Sequence, residues 1–503
     1  MLPRIPALVV VVLLIALAPA RPAAAADTWL QVTSPHFTVV SNAGEKRSRE
    51  VAWQFEQIRA AMLALWPWMK GDLDRPVFVV AAKDENTMKL LAPQYWEKSG
   101  RSHPNSVFVT GPDRHYIALR ADARADDTDA INPFYASYWS YSALLLDMSF
   151  EGDLPLWLRD GLAGVLSNTI VRENEIRFGM APPWYVRTIS TQSRLRLPQL
   201  FVTTRNDNYY RDSATRDQFA AQTWALVHYW LFDPEMGKSG KLDAVIRALS
   251  AGTPSPDAVR EAYGDFEPIE QAYLRHVQKP IMPYSRLKTE TRIAQSSFAS
   301  RTLSDADSAN SRAALLAAMN RPVEARALVA EARKASDAAA GYEVEALLAD
   351  REDNDAALKA ALVKAEQLGT TNFYALFRLA VLELPQGPDA AASAAAEGRL
   401  RKAVELNAFH HTSHAMLANV LANGPADKRA QAVPAAQAAV KLAPRDSFAN
   451  SALALALWTV GERDVAIARA RLAVTLADSD GRRRQAQQML DFFLKNATAP
   501  RSR

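Results

Sequence analysis

Histidines are the first residues to weigh, because two of them four positions apart on a helix share one face and can hold a zinc ion. The chain has eight. His36, His103, His115, His228 and His276 are scattered, and no two of them stand i, i+4. His410 and His414 do have that spacing, beside His411. They lie in an alanine-rich stretch with no glutamate between them, so no metal site is expected there. His228, among Trp224, Leu226 and Trp230, reads as a packed helix residue, and His115 as an exposed hairpin residue. Ser140 and Ser142 lack the Gly-x-Ser-x-Gly elbow of a serine nucleophile. There is no Gly-x-x-x-x-Gly-Lys loop and no Gly-x-Gly-x-x-Gly turn to cradle a nucleotide. With no cysteine, thiolate nucleophiles, thiolate zinc sites and iron–sulfur clusters are excluded. Asp126, Asp127 and Asp129 read as a solvated loop cluster. What remains is a crowd of rings, Phe134, Tyr135, Tyr138, Trp139 and Tyr141. Rings at helical spacing ordinarily pack a core, and the competing use is to anchor a peptide.

The elements that must position these residues alternate first and turn helical later. Trp29–Val40 alternates apolar and polar residues and predicts a strand. Val51, Phe55, Ile58, Met62 and Leu65 recur at helical spacing within 44–65. Residues 76–82 (PVFVVAA) read as a strand, and 84–91 as a short helix capped by Asp84. Apolar runs at 107–109 and 116–119 flank Gly111-Pro112-Asp113, a hairpin signal. A helix is expected over 132–149 and another from Pro155, followed by helices near 211–231, 241–250, 256–263 and 268–279.

The first residues address the chain. Arg4 precedes an apolar run from Ile5 to Ala20, and Ala23 to Ala26 form a small-residue exit before Asp27. This is the pattern of a secretory signal over residues 1–26, its apolar run shorter than the roughly 20 residues of a membrane span. The expected location is exported, periplasmic or secreted, including association with the envelope, with no transmembrane segment after cleavage. Two of the 59 basic residues, Arg4 and Arg21, lie in that segment, which leaves 57 against 55 acidic ones. A charge that near balance argues against a nucleic-acid partner.

Composition divides the remainder. Ten of the 11 tryptophans fall between Trp29 and Trp230, and beyond about residue 305 the chain is rich in Ala, Leu, Arg and Glu. The polar, weakly periodic stretch 280–307 reads as a linker with one short extended piece. Behind it AVEL at 403–406, AVKL at 439–442 and AVTL at 473–476 recur at offsets of 36 and 34. A period near 34 with two helices per unit resembles the tetratricopeptide repeat (TPR). Leu453, Ala454, Gly461, Ala466 and Ala473 in one unit, and Leu417, Ala418, Ala432, Ala439 and Pro444 in the unit before, fill the places where two helices approach closely. About five repeats are expected within a repeat region spanning 308–495, its last helix, 485–495, closing the open end, before a disordered tail at 496–503.

The front region, Trp29 to Val277, resembles the bacterial peptidase-MA-like domains. The resemblance rests on WLQVTSPHFTVVSN (29–42), GEK (44–46), FEQIR (55–59), GPDRHYIALR (111–120), DLPLWLRDGLA (153–163) and AQTWALVHY (221–229), which occur in the family's order. It implies a gluzincin-like α+β domain over 27–279. Members of that family usually carry His-Glu-x-x-His on the helix before the LPLW segment and a glutamate just after it. Two histidines and that acid hold zinc, and the glutamate of the motif takes a proton from metal-bound water.

This sequence departs from the pattern at those places. Trp139 and Ala143 stand where the histidines belong, Ser140 where the base belongs, and Asp160 at the place of the third ligand, with Gly164 replacing a following acid. The expected architecture is therefore a gluzincin-like α+β domain without catalysis, followed by an all-α TPR-type solenoid. No cofactor is expected. The implied function is protein–protein interaction, with a protein or peptide partner on the solenoid's concave face and Tyr135, Tyr138, Trp139 and Tyr141 as candidate peptide contacts. The competing expectation is an active zinc metallopeptidase with a non-standard metal site.

Overall fold

The computed structural model describes residues 27–97, 103–124, 131–150, 152–384 and 389–497. Residues 1–26, expected as an export signal, the Asp126–Asp129 cluster and the tail beyond 497 lie outside them.

The segment expected as one strand over 29–40 is a hairpin of β1 (Leu30–Thr33) and β2 (Phe37–Ser41). Pro35 fixes its own φ and has no N–H to donate, so the chain turns there. Ser34 closes the turn by donating its backbone N–H to Phe37 O at 2.9 Å. Helix α1 (Glu45–Leu65) buries Val51, Phe55, Ile58 and Met62, the stripe its spacing predicts. β3 (Val77–Ala82) is apolar throughout and buried on both faces, as a central parallel strand must be. α2 (Glu85–Leu91) is capped by Asp84, whose carboxylate accepts from Thr87 N at 2.8 Å. β4 (Ser106–Thr110) and β5 (His115–Arg120) form the hairpin expected around Gly111. Then follow α3 (Tyr135–Ser149), α4 (Leu156–Ser167), the short hairpin β6 (Ile170–Val171) and β7 (Glu175–Phe178), and α5 (Pro183–Thr191), α6 (Leu197–Val202), α7 (Asn208–Arg211), α8 (Ser213–Phe232), α9 (Lys241–Ser250), α10 (Ser255–Tyr263) and α11 (Phe266–Val277).

Residues 280–307 do more than link. β8 (Ser285–Lys288) pairs with β7, and β9 (Ala299–Thr302) pairs with β1. One sheet therefore runs β4-β5-β3-β2-β1-β9 and a second β6-β7-β8. The polar composition reads as a spacer because edge pairing uses backbone groups, which composition does not report. Side chains of α1 hold the same stretch from beneath. Arg49 donates to Gln295 O, Trp53 Nε1 to Ile293 O and Gln57 Nε2 to Glu290 O, at 2.8, 3.1 and 2.9 Å.

Five antiparallel helical hairpins follow: α12 (Asp305–Ala318) with α13 (Pro322–Ala335), α14 (Ala339–Arg351) with α15 (Asp355–Gln367), α16 (Phe373–Leu382) with α17 (Ala390–Leu406), α18 (His411–Ala422) with α19 (Ala426–Leu442), and α20 (Ser447–Thr459) with α21 (Arg463–Thr475). A last helix, α22 (Asp480–Asn496), packs Leu490 and Phe493 onto the fifth hairpin. Ala432, Ala436, Ala439, Ala466, Ala470 and Ala473 are fully buried where the helices cross, so a bulkier residue would force the axes apart.

The two halves share a core. Strand residues alternate between the faces of the larger sheet. Val39, Val79 and Ile117 face the cluster built with α1, α3 and α4. Val40, Phe78, Val80, Tyr116 and Ala118 face the other way, onto Ala313, Leu316 and Val344 of α12 and α14. The first repeats thus cover that face of the sheet together with α2, which adds Met88 and Leu91. Three successive turns between hairpins then touch the front domain: Asn372 Nδ2 donates to Asp113 Oδ2 (3.3 Å), Asn407 Nδ2 to Asp74 O (2.7 Å) and Arg445 Nη2 to Asp153 Oδ2 (2.9 Å).

Candidate functional site

Helix α3 and the first half of α4 carry the four residues expected at the place of a zinc site, Trp139, Ser140, Ala143 and Asp160. Trp139 and Ser140 are half-buried and Ala143 is buried. Asp160 is 2% exposed. Its oxygens are taken: Arg159 Nη1 donates to Oδ1 at 2.8 Å and Tyr210 OH to Oδ2 at 3.0 Å. Arg159 also donates to Asp147 Oδ2 at 2.9 Å and lies 5.3 Å from the centre of the Trp139 ring. Burial pushes the Asp160 carboxyl up to about 6, against the pull of Arg159 and Tyr210.

A zinc ion does not fit this donor set. Tryptophan and alanine ligate nothing, and Asp160 alone supplies one of the three protein ligands a catalytic zinc takes. A guanidinium already meets its charge. Among the described residues no three His, Asp or Glu side chains converge as a metal site. Asp160 is legible in the sequence as a lone acid. Arg159, its neighbour in sequence, and Tyr210, fifty residues on, belong to no motif, and only the adjacency of Arg159 offers a signal.

The four candidate peptide contacts do not line one groove. Tyr135 and Trp139, four residues apart, share a helix face. Tyr135 OH meets Tyr185 OH at 2.6 Å and its ring stands edge-on to Trp184 at 4.9 Å. Tyr138 and Tyr141 are buried and pack on Phe55 and Phe37, with centroids 5.3 and 5.5 Å apart. Each shows only an edge to a cleft, and the clefts differ. Tyr138 borders one of about 470 Å³ beside α1, and Tyr141 one of about 370 Å³ at the boundary with the solenoid. The helical repeat separates the pairs, because α3 is packed on more than one side.

The histidines divide likewise. His115, expected exposed, is completely buried at the start of β5, with Nε2 3.4 Å from Asp74 Oδ1 and Nδ1 3.2 Å from Thr110 Oγ1. The turn at Gly111 is short, so the residue after it already lies inside the sheet, and Asp74 supplies the partner that burial requires. His228 is packed, its Nε2 2.8 Å from Gly179 O and its Nδ1 3.0 Å from His276 Nε2. His410 Nδ1 lies 2.7 Å from Ser413 Oγ and His414 Nε2 2.9 Å from Ala408 O, bonds that tie the turn before α18. His36 reads as one more scattered residue in the sequence. Its Nδ1 lies 2.8 Å from Glu56 Oε2, a buried acid of α1 twenty residues away that no local pattern marks.

No protein-family profile matches the chain, and no curated protein does. The chain is similar to several solved structures, TPR proteins among them. They include YrrB, "a TPR protein with an unusual peptide-binding site" (21% identity, TM-score 0.30, 37% of this chain and 92% of that one). A second is a thermophilic TPR protein of Thermus thermophilus (18%, 0.26, 37% and 98%). A third is MamA of Desulfovibrio magneticus (15%, 0.24, 33% and 99%). At these scores the likeness carries no argument about function, and the repeat architecture rests on the five hairpins themselves.

Proposed function

We propose that the chain is an exported interaction scaffold, in which a pseudo-metallopeptidase domain without catalysis carries a peptide-binding TPR-type array. The observation that bears most weight is the stack of five hairpins closed by α22. Such a stack offers an extended surface with one repeat's contacts beside the next, suited to a polypeptide rather than a small substrate. The pseudopeptidase half of the reading draws on Trp139, Ser140 and Ala143 at the ligand and base positions. It draws equally on the Arg159 guanidinium at Asp160, which supplies in a fixed form the positive charge a metal would bring. The front domain acts as a support: it lies along three turns of the stack and covers its first hairpins.

Two measurements test this. Metal analysis of the purified chain, with a peptide-cleavage assay run with and without chelator, should show no stoichiometric zinc and no chelator-sensitive cleavage. Zinc at one per chain with cleavage that a chelator abolishes would replace this reading by the metallopeptidase one. A peptide array probed with the full chain should give sequence-selective binding that Met416→Glu, on the half-buried side of α18, weakens. Binding indifferent to sequence and to that change counts against the scaffold.

A further inference from the structure

The turn between β1 and β2 sets His36 over α1, where Glu56 receives it. The Glu56 carboxylate accepts from Ser34 Oγ at 2.7 Å and from His36 N at 2.8 Å, and His36 Nδ1 lies 2.8 Å from its second oxygen. An ionised carboxylate only accepts, so Nδ1 carries a proton and Glu56 holds the ring in one direction. Burial opposes ionisation, yet the bonds from His36 and Ser34 hold Glu56 below its ordinary value. The His36 side chain is 37% exposed and lines the cleft of about 370 Å³ between the front domain and the solenoid.

The same cleft is lined by Arg59, one turn beyond Glu56, and by Tyr141, Arg114, Phe373 and Phe409. Its guanidiniums are unequally spent. Arg75 is committed to Asp74 and to Gly111 O, at 2.9 and 2.7 Å. Arg59 gives Nε to Gly71 O at 3.2 Å and has only a loose pairing with the half-exposed Asp72 at 3.6 Å. Arg114 lies over the Phe78 ring, and its ion pairs with Asp113 and Glu343 are 3.6 and 3.8 Å long. Arg59 and Arg114 therefore keep donors for a further acceptor. The acids behind them are occupied: Asp113 accepts from Tyr116 OH and Asn372, and Asp74 pairs with Arg75 and His115. Across from the arginines the solenoid presents apolar rings, Phe409 among them at 41% exposed, in a turn where a polar residue would be the ordinary choice. Asn407 and Asn372 pin both sides together, so the cavity is already formed before any ligand arrives.

We propose that this seam cavity binds a carboxylate on an apolar body, the anionic end held by Arg59 and Arg114 and the apolar end against Phe373 and Phe409. The volume suits a ligand of about amino-acid size. The site goes beyond the peptide-binding face proposed above, because it needs both halves of the chain and uses no concave surface. His36 Nε2 adds a hydrogen-bonding atom beside the ligand, and the Glu56 contact fixes the direction of the ring. The carboxylate could belong to a free small acid or to the end of a polypeptide.

Calorimetric titration of the purified full chain tests this with 3-phenylpropanoate, N-acetylphenylalanine, a pentapeptide ending in phenylalanine, and the C-terminal amides of the last two. Each acid that binds should lose at least about tenfold in affinity on amidation. Binding of 3-phenylpropanoate without the pentapeptide identifies a free acid as the ligand, and binding of the pentapeptide identifies a chain end. Either result supports the site. Phe409→Ser changes an exposed ring, so the fold is kept, and Arg114→Gln removes one cation. Both should weaken the acids, and Arg114→Gln, which removes only a partner of the charge, should leave the amides unchanged. Acids and amides that bind alike, no acid binding at millimolar concentration, or affinities untouched by both substitutions would each overturn the proposal.

Discussion

Arg159 and Asp160, adjacent on α4, bond to each other at 2.8 Å inside the domain, and the guanidinium bridges onward to Asp147 on α3. A cation from the protein itself thus joins α3 to α4. Removing it should be costly in a pH-dependent way. In Arg159→Met the Asp160 carboxylate keeps only Tyr210, and an unpaired buried charge costs about 3 kcal/mol. The Asp160 carboxyl already stands near 6, above its unfolded value of 3.8, so what it contributes to stability is present at low pH and lost as pH rises through 6. Without the arginine that value climbs further. Urea denaturation should therefore show a large loss at pH 8 and a small one at pH 5. Equal losses at both would mean the pair is not what matters there.

His228 and His276 give the opposite slope. The Gly179 carbonyl can only accept, so His228 Nε2 donates to it, Nδ1 accepts, and His276 Nε2 is the donor between the rings. Both are neutral, and burial holds them at about 3 and about 4, below the 6.5 of an unfolded histidine. Their stabilisation is complete above 6.5 and is lost as pH falls towards 4, because the unfolded chain binds the protons first. Each contributes a slope of about 1.4 kcal/mol per pH unit in that window. His276→Gln keeps a donor towards His228 and removes one proton from the balance. Its stability, followed from pH 6.5 to 5, should fall less steeply than that of the parent by about that amount. Parallel curves would refute the assignment.

Two glycines of α4 should answer the same substitution differently. A Cβ on Gly161 would stand 2.5 Å from Val227 Cγ2 and 2.7 Å from the backbone oxygen of Thr223, so α8 must move. Gly161→Ala should destabilise by about 1–3 kcal/mol. A Cβ on Gly164 would meet Trp224 Cβ at 3.4 Å, an ordinary contact, and alanine favours a helix interior by nearly 1 kcal/mol. Gly164→Ala should be neutral or stabilising. Thermal melts of the two variants rank them directly, and a reversed order would show that α4 and α8 do not meet as described.

What the sequence makes legible follows from how local its cause is. The α1 stripe, the Asp84 cap, the β4–β5 turn and the five repeats are set by residues within a few positions of one another, and each appears where periodicity or turn chemistry puts it. The Arg159 guanidinium over Trp139, the bond from Tyr210 to Asp160, the Glu56 carboxylate under His36, and the burial of His115 against Asp74 join residues between 20 and 50 positions apart, and no local pattern encodes them. The strands β8 and β9 are hidden differently. Edge pairing is satisfied by backbone, so side-chain polarity misleads. Nothing in the composition reveals that the sheet needs the solenoid, because a strand buried on both faces reads the same whichever element covers it.

That dependence is itself testable by truncation. Val40, Phe78, Val80, Ala82, Tyr116 and Ala118 form a continuous face covered by α12 and α14 together with Met88 and Leu91 of α2, with Leu303 at its rim. A chain ending at Leu303 keeps every strand, including β9, and keeps α2, yet leaves the part of that face under α12 and α14 in water. An exposed apolar patch beyond a few hundred Å² drives association. The truncated chain should therefore aggregate or bind a hydrophobic dye strongly. A chain ending after α19 at Leu442 retains the cover and loses only the outer repeats, whose contact with the front domain, Arg445 with Asp153, is an exposed pair of little energetic weight. It should remain soluble, with the front-domain core intact by near-ultraviolet circular dichroism. If the shorter chain were monomeric and dye-silent while the longer one aggregated, the shared core would not be what holds the two halves together.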